Sequence, residues 1–225
     1  LARAASDLGV GLGPFAEGMP QGVAPIYVAE PSPDSVLTGL MPPFSGFVDS
    51  GADIHASRCL DAVGKGGICL SLTTAAAYAI DPTPMLGDIV RRRFGAPEPV
   101  AQLIELGLAE ALGNAIIHGN LGIDSDMRAT FDGFTQFSRL MAERLEDPVL
   151  ASRRVEVTLV LDASEGLTVA VSDQGQGFDI QRELSKPVES GAKSGRGLAL
   201  IRKMAKAVAG ADSGRTLVMT FALAG

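Results

Sequence analysis

A chain of 225 residues with 46% apolar side chains has ample material for a buried core, which excludes a disordered polymer. The net charge of −7 and the pI near 4.9 leave no basic footprint for direct DNA or RNA binding, and favour a protein partner or a metal-neutralised nucleotide. Cys59 and Cys69 lie outside any metal-type spacing, and no stretch reads as a signal peptide, so a reduced, cytoplasmic setting is expected. No membrane association is expected either, because the most apolar run, residues 67–80, is too short and too rich in Thr to span a bilayer.

Residues 1–66 are the least patterned part. Residues 1–8 suggest the tail of a helix, 10–15 a short strand and 24–28 another. Pro, Ser and Gly punctuate residues 31–43, which predicts a connection. A strand is expected over 45–48 and a helix over 53–63. Together these make a small α/β module, vaguely like a truncated or degenerate receiver, that ends at the Gly66–Gly67 pair. No acidic pair after a first strand supports a phosphoacceptor site, and His55 reads as an ordinary surface or core histidine.

Residues 68–73 then predict a strand, and 84–94 a helix ending in Arg91, Arg92 and Arg93, cations suited to the negative end of a helix dipole or to a solvated last turn. After the turn at 95–99, a helix begins near Val100 and runs to Gly119. Within it Glu110, Asn114 and His118 recur at four-residue spacing and share one face. Gly107, Ala111 and Gly113 lie beside them and leave room for a ligand, while Ile104, Leu108, Leu112 and Ala115 form the face that packs on a sheet.

Residues 120–127 read as a loop. Phe134, Phe137, Leu140, Met141 and Leu145 mark an amphipathic helix over 131–145, which needs cover from the domain's own surface, from the nucleotide edge, or from a partner or second copy. Residues 155–161 and 167–172 predict strands joined by a hairpin turn. Residues 179–195 are polar and rich in Ser, Lys and Gly, as a lid would be. A helix is expected from Leu198 to Val208, stopped at Gly210, and a last strand over 216–223.

Three stretches carry the chemistry. The first is Glu110–Gly119. The second, Asp173-Gln-Gly-Gln-Gly-Phe178, follows an apolar strand, where Gly175 and Gly177 allow close backbone approach and positive φ. The third, Ser194-Gly-Arg-Gly-Leu198, opens a helix whose amides and dipole can hold phosphate oxygens. In this order and spacing they resemble the N-box and the two glycine boxes of the GHKL ATPases, and most closely those of the anti-sigma serine kinases. The shared Glu-x-x-x-Asn-Ala-x-x-His-Gly pattern stands here as Glu110, Asn114, Ala115, His118 and Gly119. The resemblance covers residues 67–225 apart from an insertion at about 128–153. One departure is Gly113, where a Thr is often found.

The resemblance implies an α+β fold, a two-layer α/β sandwich of the GHKL (Bergerat) type. Its mixed sheet would be covered by helices on one face and preceded by the small α/β segment. It implies ATP and Mg²⁺ as cofactors, with Asp173 accepting from the adenine amino group and Asn114 ligating the magnesium. Glu110 would be the general base for attack on the γ-phosphate. Gly175, Gly177, Phe178, Gly195, Arg196, Gly197, Leu198 and Thr216 would complete the nucleotide site. Lys193 and Arg196 would add charge, and His118 would either touch the nucleotide or make a structural hydrogen bond. The implied partners are a sigma factor or a STAS-domain antagonist carrying the phosphoacceptor serine, with a homodimer as a further expectation. Two other readings stand beside this one. One is an ATP-binding interaction switch without transfer; the other is the catalytic half of a histidine kinase, which would need a helical hairpin with a phosphoacceptor box upstream.

Overall fold

The computed structural model describes residues 24–52, 57–124, 133–178 and 196–223. The expected helix at 1–8, the strand at 10–15, His55, and the lid with Lys193 and Gly195 lie outside them.

Among the described residues, seven strands form one mixed sheet: β1 (Tyr27–Ala29), β2 (Gly46–Asp49), β3 (Ile68–Thr73), β4 (Arg154–Asp162), β5 (Gly166–Ser172), β6 (Ala207–Ala211) and β7 (Thr216–Phe221). Their spatial order is β1-β2-β3-β4-β5-β7-β6. The first three are mutually parallel and every other pair is antiparallel. Period-two alternation sends Val155, Val157 and Leu159 of β4, Leu167, Val169 and Val171 of β5, and Leu217, Met219 and Phe221 of β7 to one face. That face meets the helices and makes the main core.

The helices are α1 (Pro33–Leu40), α2 (Ser57–Gly64), α3 (Thr74–Ile80), α4 (Thr83–Phe94), α5 (Glu98–Gly113), α6 (Gly133–Glu146), α7 (Pro148–Ala151) and α8 (Arg196–Met204). A π-helical stretch, Asn114–Asn120, continues α5. Helix α4 stops at Gly95, whose φ of 63° is the left-handed conformation that a glycine adopts without steric cost. Helix α5 buries Ile104, Leu108 and Leu112, and its π extension buries Ala115, as the spacing predicts. It and its π extension are long and apolar enough to cross a bilayer, yet this face is packed on the sheet.

The expected fold class is the one observed, with one addition. On the second face of the sheet, α2 packs Cys59 and Val63 against Cys69 of β3, forming a separate small cluster. Both thiols are free.

Three sequence expectations differ from the structure, and one helix had no expectation to meet. Residues 33–40 form a helix rather than a connection: Ser32 and Ser35 make a reciprocal capping box and Pro33 occupies the first turn, so the local capping chemistry outweighs the punctuation. Residues 74–80 form α3, capped by the Thr73 hydroxyl. Val208 is not on the last helix, because Ala207–Ala211 pairs with β7 as an edge strand. Finally, the Gly66–Gly67 boundary does not divide the molecule. Strands β1 and β2 extend the same sheet through β3, and Val36, Leu40 and Phe47 share the core that holds Leu70 and Ile104. Arg93 reinforces this join by donating to the Leu40 and Phe44 carbonyls at 3.0 and 2.8 Å. Arg91 meanwhile pairs with Glu98 and Glu105, so two of the three arginines do more than finish a helix. The 131–145 expectation matches α6, whose Phe137 and Met141 pack into the domain's own core.

Candidate nucleotide site

The end of the π stretch and the loop after β5 are joined side by side. Asn120 is fully buried. Its amide donates to Thr74 Oγ1 at 2.8 Å and to the Arg154 carbonyl at 3.0 Å, and its oxygen accepts from Gln174 N at 2.7 Å. Gln174 answers by accepting from Arg154 N at 2.7 Å. Arg153 closes the group with a 2.6 Å bond to the Asn120 carbonyl. The residues 173–175 are therefore fixed against the helix that carries Glu110 and Asn114. Sequence reasoning passed over Asn120 and Gln174, because Asn120 follows the motif and reads as the first loop residue.

Glycine is required where these segments touch. A Cβ on Gly119 would stand 2.5–2.7 Å from the Asp173 carboxylate, and one on Gly175 would run into the Gly119 carbonyl. The Gly119–Asp173 contact brings the first two motifs together at a side chain. Asp173 Oδ1 accepts from Gly175 N at 2.7 Å. Burial pushes the Asp173 carboxyl above its usual range, and the Gly175 N–H and the charges of Arg215, Arg153 and Arg58 counter that rise. Gly177, at φ 73°, lies against Ser213 O, and Phe178 N donates to Gly214 O at 3.3 Å. Phe178 itself remains exposed.

On the helix, Glu110 and Asn114 are half-buried, one turn apart. The Asn114 N–H is shared between the Ala111 and Glu110 carbonyls, where the α-helix widens into the π stretch. A Cβ on Gly113 would meet nothing within 4 Å, so space is open beside Asn114. Gly107 does not line that space as expected: its Cα–H side faces Met219 and Phe221 of β7, and Ala111 is buried. The His118 ring is exposed, with Nδ1 against the Ile123 carbonyl.

Arg196, Gly197 and Leu198 form the first turn of α8, which packs beside α5 through the buried Ile201. Thr216 is buried at the start of β7, with its hydroxyl donating to Asp212 at 2.7 Å and lying 2.9 Å from Ser172 Oγ. Among the described residues no group of three His, Cys, Asp or Glu side chains could hold a metal by itself. A half-buried carboxylate, a half-buried carboxamide on the helix that the carboxylate's loop adjoins, and the first turn of a helix packed on α5 are groups of the kind a nucleotide needs. The chemistry of the donors, one carboxamide oxygen plus phosphate oxygens and water, suits Mg²⁺.

A family model described as a histidine kinase-like ATPase domain matches residues 84–221, more than half of the chain. No curated protein and no solved structure matches it.

Proposed function

Since the chain belongs to the histidine kinase-like ATPase domain family, for which ATP is the ligand, we propose that it is an ATP-dependent protein-serine kinase of the anti-sigma type. Its phosphoacceptor would be a serine on a STAS-type antagonist, and a sigma factor its other partner, in a cytoplasmic partner-switching pathway. The observation that carries this reading is the convergence of Glu110 and Asn114 on the helix that Asn120 locks to the Asp173 loop.

Asp173 would accept from the adenine amino group, and the Gly175 and Gly177 backbone would lie along the base. An ionised carboxylate accepts without donating, so it favours adenine over guanine. Asn114 would hold Mg²⁺ through its side-chain oxygen. The first amides of α8, from Arg196 to Leu198, would receive phosphate oxygens at the positive end of the helix. Bound ATP supplies the electrophilic γ-phosphoryl group. Glu110 takes the proton of the attacking serine hydroxyl as its oxygen bonds to the γ-phosphorus and the bond to ADP breaks.

Residues 24–52 and 57–66 contribute strands to the sheet and short helices packed on it. Transfer of radiolabelled γ-phosphate to a STAS-domain substrate tests the proposal. Glu110→Ala should abolish transfer while keeping ATP binding. Equal transfer by parent and variant removes Glu110 from the chemistry; ATP binding with no transfer by the parent leaves an interaction switch without kinase activity.

A further inference from the structure

The face of the sheet opposite the main core carries a second construction. Strand register places Ser71, Glu156, Ser172 and Thr216 in one row across β3, β4, β5 and β7. All four are buried. Four polar side chains in a row across a sheet need partners, and they find them both within the row and outside it. Ser172 and Thr216 lie 2.9 Å apart, and Thr216 donates to Asp212. Arg58 of α2 then spans the remaining gap, with one guanidinium nitrogen 3.1 Å from Glu156 Oε2 and the other 2.7 Å from Asp212 Oδ2. Arg58 lies outside the stretch 84–221 that the family model covers.

The Asp212 end of this bridge adjoins the nucleotide site. Asp212, Ser213 and Gly214 all have positive φ, at 52°, 59° and 83°, which is costly for the first two. Such a turn persists where its surroundings hold it. It is held by Arg58 and Thr216 on one side, and on the other it backs directly onto Gly177 and Phe178: Ser213 O touches Gly177 and Gly214 O accepts from Phe178 N. Ser172 precedes Asp173 by one residue. The bridge therefore fixes both ends of the 173–178 loop from behind.

We infer that Arg58 is a positioning residue of the nucleotide site, by which α2 in the N-terminal part of the chain sets the shape of the adenine-side loop. The inference rests on the nucleotide reading of Asp173. Glu156 is almost enclosed, so its interaction with Arg58 is less screened than that of the half-exposed Asp212. Asp212 holds the charge nearest the loop and is the member to vary with Arg58.

The test is titration of the full chain with ATP and with GTP, for the parent, Arg58→Met, Arg58→Lys, Asp212→Asn and the double variant Arg58→Met/Asp212→Asn. Asparagine keeps an acceptor for Thr216 and loses the charge. Arg58→Met should weaken ATP binding about fivefold, a typical coupling between sites. It should also lower the ATP-to-GTP affinity ratio, because Asp173 loses its fixed orientation. Lysine should restore part of both effects. The double variant should be no weaker than the poorer single variant, the non-additivity expected of one bridge. A general loss of stability would weaken both nucleotides alike and leave the ratio unmoved, and that result overturns the inference. ATP binding by the parent with unchanged affinity in Arg58→Met overturns it alone. No nucleotide binding by the parent overturns the proposed function together with it.

Discussion

Replacing Asn120 by Ala removes the tie between the two motifs without touching any residue proposed to contact ATP. The side chain has no exposed surface and makes three hydrogen bonds, two donated and one accepted. Its loss leaves the Thr74 hydroxyl able to rely on the Arg153 carbonyl, to which it already donates at 2.8 Å. The Arg154 carbonyl and the Gln174 N–H lose the amide that served them. A buried polar group left without its partner costs about 1–3 kcal/mol, less where water reaches it, and Gln174 is exposed. The expected destabilisation is about 2–4 kcal/mol, which places Asn120 among the severe substitutions. Urea unfolding followed by circular dichroism measures it, with the midpoint falling and the slope unchanged. A loss below about 0.5 kcal/mol would refute the reasoning, since the buried groups would then have found equivalent partners.

Two more predictions concern neighbouring residues. Gly113 has helical φ and ψ of −56° and −44°, and an added Cβ would meet nothing. Gly113→Ala should therefore stabilise the protein by about 0.4–1 kcal/mol, read from the same urea curves, and a lowered midpoint would contradict this. Asp173 titrates higher in the folded chain than its ordinary value of 3.8. The folded state then binds its proton more tightly than the unfolded state between those two values. Relative to Asp173→Asn, the nucleotide-free parent should lose stability as pH rises from about 4 through that window. A difference that stays flat or grows with pH would show that burial does not dominate at this carboxyl.

Much of the central domain was legible because its signals are local. Strand β3 is bounded at Ile68 and Thr73 as the apolar run indicates, and the expected strands 155–161 and 167–172 fall within β4 and β5. The helix bearing Glu110 and Asn114 follows from its apolar stripe, although the widening at Asn114 has no signature in residue periodicity. The motif glycines were readable as places of close approach. What they approach was not: Gly119 against Asp173 is a contact between residues 54 positions apart in sequence. The ties made by Asn120 and Arg58 are equally non-local, and neither residue stands out in its own segment. Residues 24–66 misled for a related reason. Their Pro and Ser residues cap and start α1 instead of interrupting it, and membership of the common sheet depends on pairing with Cys69, Leu70 and Ser71 of β3.

The most direct test of the account is isothermal calorimetry of the purified chain with ATP and Mg²⁺, run beside Asp173→Asn. A saturating isotherm at one ATP per chain, with clearly weaker binding in the variant, is the predicted result. Absence of any ATP uptake at millimolar concentration, or equal affinity in the two proteins, would contradict the claim that Asp173 floors an adenine-nucleotide site.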